Sequence, residues 1–276
     1  MPLFAVISGI LFKDKDNSKL LREYLYPCII FSIAEIVSWR IFYEGVSLYS
    51  FGWTMWYLWS LFWYMLITPV LLRKISLKGL FFISFALAII VGFTPLSYLF
   101  QLSRLVTFYP FFLIGIWLQK HLDYILDEKR NRSMWILLTV SSFIVIAALF
   151  HVYPSIRPYV NFNMPYYTFF SMFKRIAMYG ICIVPTLALI YASQNREHWY
   201  TKYGARTMNA YLCHMVFVIF PISFCFTIPI MHTWYGYVIN LVCVPMICCL
   251  FYTDAWSRVM NFILLKRAKR DTMDLS

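Results

Sequence analysis

Residues 207–253 read TMNAYLCHMVFVIFPISFCFTIPIMHTWYGYVINLVCVPMICCLFYT, 47 consecutive residues without Asp, Glu, Lys or Arg. A membrane crossing takes about 20 apolar residues, so this stretch has room for two. Pro221, Pro229 and the polar step His232-Thr233 divide it into expected spans at 207–229 and 234–252. Working outward, four more charge-free runs follow the same rule: 28 residues at 45–72, 25 at 79–103, 24 at 133–156 and 20 at 176–195. Two weaker apolar runs remain. Residues 25–43 carry Glu35 and Arg40, and 105–119 are short but dense in Phe and Ile.

These runs predict an all-α integral membrane protein with eight complete spans: 25–43, 54–72, 79–100, 105–119, 134–153, 176–192, 207–229 and 234–252. A partial N-terminal helix, MPLFAVISGILF at 1–12, precedes them. Twelve residues of helix reach about 18 Å, short of a hydrocarbon core of roughly 30 Å. The whole chain, 1–276, reads as a single polytopic domain. Composition agrees. Hydrophobic residues make up 62% and charged residues 13%, and mean hydropathy is +0.68. A soluble domain carries about 25% charged residues, so a water-soluble enzyme and a disordered chain are excluded.

The formal charge is +12, which raises nucleic acid as a partner, but the placement of the cations argues against it. Nineteen of the 24 Lys and Arg fall in alternate connections, beginning with 13–23 and ending with the C-terminal tail; the other five are Arg40, Arg104, Arg157, Lys174 and Arg175. Such alternation is the signature of cytoplasmic loops. It predicts a multi-pass protein of the cell membrane, a bacterial plasma membrane by this reading, with a cytoplasmic C-terminus and no nucleic-acid partner. The N-terminal stub then enters from the outer side. We therefore expect upstream sequence that completes it and adds one more helix, giving ten spans. The longest connection, about 154–175, lies outside and reads equally as a re-entrant cap or an ordinary loop.

No phosphate-binding glycine loop and no H-E-x-x-H or G-x-S-x-G pattern occurs. The seven cysteines, Cys28, Cys182, Cys213, Cys225, Cys243, Cys248 and Cys249, fall in predicted spans without C-x-x-C spacing. They read as small apolar residues rather than a metal site, and no metal or permanently bound cofactor is expected.

Ionisable groups inside spans are costly and mark candidate sites. Glu35 lies about mid-membrane, as a proton relay, a substrate ligand or the partner of a basic residue. Arg40 and Glu44 are four apart and suit a pair on one helix face. His214 lies seven residues into its span, about 10 Å below the cytoplasmic surface. A neutral imidazole there can exchange a proton near pH 7, or serve as a hydrogen-bonded core group. Lys19 and Arg22, with Lys13 and Lys15, form a basic loop before a helix. That loop suits the phosphates of a coenzyme A thioester, or simply positive-inside charge.

Five segments in this order resemble the membrane-bound acyltransferase-3 family, in particular its fucose 4-O-acetylase-like branch: MPLFAVISGILF (1–12), KLLREYLYP (19–27), WTMWYLWSLFW (53–63), LSRLVTFYPFFLIGIWLQK (102–120) and YGARTMNAYLCHMVF (203–217). The resemblance implies a ten-helix membrane enzyme. It would move an acyl group, usually acetyl from cytosolic acetyl-CoA, onto a sugar hydroxyl of a surface glycan or a lipid-linked precursor. On this likeness His214 matches the family's late histidine, Lys19 and Arg22 its basic stretch, and Arg104 a basic residue entering the F-x-P-F-F helix; Glu23 departs from the pattern. The family's first helix and its histidine are expected upstream of Met1. Without them the resemblance implies weak transfer or none. The competing reading is a component of a polysaccharide exporter, against which the lack of an internal repeat weighs.

Overall fold

The computed structural model describes residues 1–42, 55–94, 101–122, 132–156, 165–166, 168–193, 201–204, 206–214, 238, 242, 246 and 249–264. In chain order the helices are α1 (Pro2–Ile10), α2 (Asn17–Leu20), α3 (Tyr26–Phe42), α4 (Trp56–Leu72), α5 (Leu77–Ile90), α6 (Leu102–Gln119), α7 (Arg132–Val152), α8 (Ser171–Ala192), α9 (Thr201–Gly204), α10 (Thr207–His214) and α11 (Asp254–Ile263). No strand occurs among the described residues. Three of these helices, α6, α7 and α8, are long and apolar enough to cross a membrane; α4 and α5 with its terminal 3-10 turn are apolar but shorter. The expected span 234–252 and most of 207–229 lie outside the described residues.

The helix bounds follow local chemistry. Pro2 opens α1, where a missing N–H costs nothing. Ser76 caps α5 by accepting from the Gly79 amide at 3.2 Å. A π-type turn at Leu21–Leu25 runs into α3. Pro27 has no N–H for the carbonyl of Glu23, and the widened turn falls where that bond is missing. The helix α8 begins at Ser171, five residues before the expected boundary at 176. Counting charge-free residues stopped at Arg175, whereas the helix takes that cation inside.

The chain forms two compact units: Met1–Leu20 with Trp56–Arg196, and Leu21–Met55 with Glu197–Ser276. In the first, α6 is the central helix, with Phe108, Phe111, Phe112, Leu113 and Leu118 buried. Against it pack α1, α4 and α5. Lipid is as apolar as a leucine side chain, so close van der Waals fit and hydrogen bonds must hold such a bundle. Both are present. Trp56 meets Phe108 at 4.9 Å and Tyr64 meets Phe112 at 5.2 Å between ring centroids. Tyr64 donates to the Leu105 carbonyl at 2.6 Å, and Tyr57 to that of Phe4 at 2.7 Å. Because the Tyr57 proton is committed there, Ser8 is the donor in its 2.6 Å bond to the Tyr57 oxygen.

The pair α7 and α8 runs antiparallel: Arg132 at the start of α7 donates to the Ala192 carbonyl at the end of α8 (2.9 Å), and Trp135 stacks on Tyr191. No residue of α7 is buried, and Leu137, Phe143, Ile144 and Val145 are exposed. In a bilayer, lipid covers that face.

In the second unit α10 packs against α3. Residues Cys28, Ser32 and Glu35, at helical spacing i, i+4 and i+7, form a buried polar stripe on α3. Cys28 donates to the Met55 carbonyl at 3.8 Å. Of the seven cysteines, Cys225, Cys243 and Cys248 lie outside the described residues; Cys28 and Cys213 are buried, Cys182 is half-buried and Cys249 is exposed, and an exposed thiol stays a small apolar group where lipid is the solvent.

Candidate functional site

Glu35 is 2% exposed. Ionised carboxylates are seldom placed so deeply without a task or a partner. Its helix touches α10, which carries His214. The two residues singled out for proton chemistry thus lie on packed helices of one unit. The neighbours of His214, Leu212 and Cys213, are fully buried, so α10 is built into this unit rather than lying on its surface. The Arg40–Glu44 pair lies outside what can be described, since Glu44 is not among the described residues.

Lys19 and Arg22 are exposed. Lys19 closes α2 in the first unit, and Arg22 sits in the π-type turn that opens the second. The loop with Lys13 and Lys15 runs between α1 and α2. Solvent-facing cations on a short, irregular segment can meet the phosphates of a soluble ligand without first breaking buried contacts.

A second polar group went unrecognised in the sequence. Arg175 is fully buried. Its guanidinium donates to the Ala88 carbonyl at 3.1 Å and lies 4.7 Å from the centre of the Tyr166 ring. The Tyr166 amide donates to the Gly92 carbonyl at 2.7 Å, so the chain entering α8 folds back on the end of α5. One turn along α8, Tyr179 donates to the Thr107 carbonyl, while Thr107 donates to that of Ser103 at 2.8 Å. On the same end of α6, Arg104 lies over Trp56 at 5.2 Å. Gln101, the residue before the helix, is buried with a left-handed φ of 55°. Held backbone strain of this kind is concentrated at functional positions. The signal was available in principle: Ser171, Arg175, Met178 and Tyr179 share one helical face, but only once α8 is extended through its two cations.

No group of three or more His, Cys, Asp or Glu able to hold a metal occurs among the described residues. The family model for an acyltransferase domain matches residues 1–265. The chain belongs to the acyltransferase-3 family. No curated protein and no solved structure matches it. Membership in this membrane acyltransferase family covers α1 to α11 in one domain match, both units included. It agrees with the outward apolar face of α7 and with the three helices long enough to span.

Proposed function

We propose that the protein transfers an acyl group, acetyl in the first instance, from cytosolic acyl-CoA to a sugar hydroxyl of a cell-surface glycan or its lipid-linked precursor. Family membership supports acyl transfer. The observation that carries the residue assignment is the buried Glu35 on a helix packed against the one that carries His214. His214 takes the proton of the acceptor hydroxyl as its oxygen attacks the thioester carbonyl. The coenzyme thiolate leaves and is protonated, and the ester forms on the sugar. Glu35, a buried carboxylate on the neighbouring helix, serves as a proton relay. Lys19 and Arg22, basic and exposed, hold coenzyme phosphates, and that attraction falls as salt rises. The fucose 4-O-acetylase-like resemblance and the basic cytosolic loops support the sugar acceptor and the donor side. The cell membrane, with the C-terminus in the cytoplasm, is the proposed location.

The test is equilibrium binding of radiolabelled acetyl-CoA to the detergent-solubilised protein, followed by transfer to a panel of glycans. Saturable binding that Lys19→Ala with Arg22→Ala weakens at least tenfold supports the reading. A protein that binds no acetyl-CoA while promoting glycan movement across vesicles is an exporter, and the reading fails.

A further inference from the structure

The helix α11 is the first polar turn after the 47-residue apolar run. It does not continue the helical residues 249–251: Thr253 is extended (φ −72°, ψ 155°) and caps α11 by accepting from the Trp256 amide at 3.3 Å. Arg206 fastens this start, donating to the Tyr252 carbonyl and to the Asp254 carboxylate. Further along, the Cys213 thiol of α10 meets the Met260 sulfur at 3.7 Å.

Successive helical residues turn by about 100°, which sorts α11 into three stripes. Trp256, Met260, Ile263 and Leu264 face inward, Met260 and Leu264 being buried. Asp254, Arg258 and Asn261 form an exposed polar stripe. Between them runs a second apolar stripe, Ala255, Val259 and Phe262, that faces outward; Val259 is 45% and Phe262 83% exposed. Directly after the helix the sequence carries Lys266, Arg267, Lys269 and Arg270.

We propose that α11 is an interfacial helix whose Ala255–Val259–Phe262 stripe rests in the boundary between headgroups and acyl chains, and that the following basic run binds acidic lipid headgroups. An exposed apolar stripe beside a polar one, two residues past an apolar run and next to four cations, is the arrangement that lies along a membrane surface. The cations select the leaflet with negative lipid. The covering partner is lipid, because the bilayer is already where the helix starts and its acidic headgroups complement the basic run. This inference is independent of the acyl-transfer reading.

The test places one nitroxide label at a time, through Val259→Cys, Phe262→Cys or Asn261→Cys, in the full chain freed of its native cysteines, in nanodiscs with or without phosphatidylglycerol. Intact folding of each variant is checked by its elution as a monodisperse peak. We expect oxygen collisions to exceed those of a water-soluble nickel complex severalfold at 259 and 262 in acidic discs, the reverse at 261, and the contrast to shrink in neutral discs. Nickel-dominated collisions at all three positions overturn the proposal. So does dipolar broadening at 262, which would show a second copy of the chain covering the stripe.

Discussion

Gly9 of α1 and Gly115 of α6 meet backbone to backbone. A Cβ added to Gly115 would stand 2.1 Å from the Val6 carbonyl oxygen and 2.7 Å from the Gly9 Cα; one added to Gly9 would stand 2.0 Å from the Phe112 carbonyl oxygen. Three residues beyond Gly9, the Phe12 carbonyl accepts from the Gln119 side chain at 3.1 Å, so the C-terminal ends of the two helices lie together and the pair runs parallel. Small residues at such crossings let helices approach where no hydrophobic gradient drives them together. Everything the obstructing atoms belong to is main chain, which cannot swing aside.

Gly115→Ala is therefore expected to destabilise the detergent-solubilised protein by about 1–3 kcal/mol, the range for overpacking, seen as a drop in the thermal unfolding midpoint. Gly180→Ala on α8, where nothing lies within 4 Å of the added carbon, is expected to leave the midpoint unchanged or to raise it slightly. Equal midpoints for the two variants would refute the crossing.

Arg175 is the buried cation that ties α8 to the end of α5. Arg175→Leu removes the donor to the Ala88 carbonyl and the charge over Tyr166. The loss is expected at about 1.5–3 kcal/mol, as for hydrogen bonds to charged groups. Arg175→Lys recovers little of it, because the planar fork stacks on the ring and a compact ammonium does not. Gly92→Ala, whose new carbon would stand 2.5 Å from the Tyr166 ring, is expected to loosen the same contact. Chemical denaturation of the three variants in one detergent checks the order.

The legible part of the fold was the part that alternating charge marks. The apolar runs at 54–72, 105–119 and 134–153 correspond to the helices α4, α6 and α7 within a few residues, although α6 begins three residues early and takes Arg104 into its first turn. The start of α8 was misjudged because a buried arginine and a solvated one look alike in a charge count. The Gly9–Gly115 crossing joins residues more than a hundred positions apart, and although both segments were expected to be helical, nothing in the sequence pairs them. The division into two units was hidden for the same reason, since each unit joins two stretches that are separated along the sequence. Of the candidate site, Glu35 could be found because a carboxylate interrupts an apolar run; Arg175 sat at the edge of such a run and was assigned to the loop.

Arg206 and Asp254 form an ion pair whose acid is 81% exposed. Exposed pairs contribute about 0–1 kcal/mol, so Asp254→Asn is expected to change stability by less than about 1 kcal/mol, and less still at 1 M salt. Arg206→Ala is expected to cost more, because the Tyr252 carbonyl loses its donor as well. Thermal unfolding at low and high salt separates the two contributions.

The most direct test of acyl transfer is a single-turnover measurement with radiolabelled acetyl-CoA and a glycan acceptor, comparing wild type with Glu35→Gln and His214→Ala at matched folding. The account predicts label moving to the glycan in step with release of the coenzyme thiol. It also predicts losses on the order of 100-fold or more in both variants, in the range of a removed general base. Transfer by His214→Ala at the wild-type rate, or thiol release with no label on any acceptor, would contradict it.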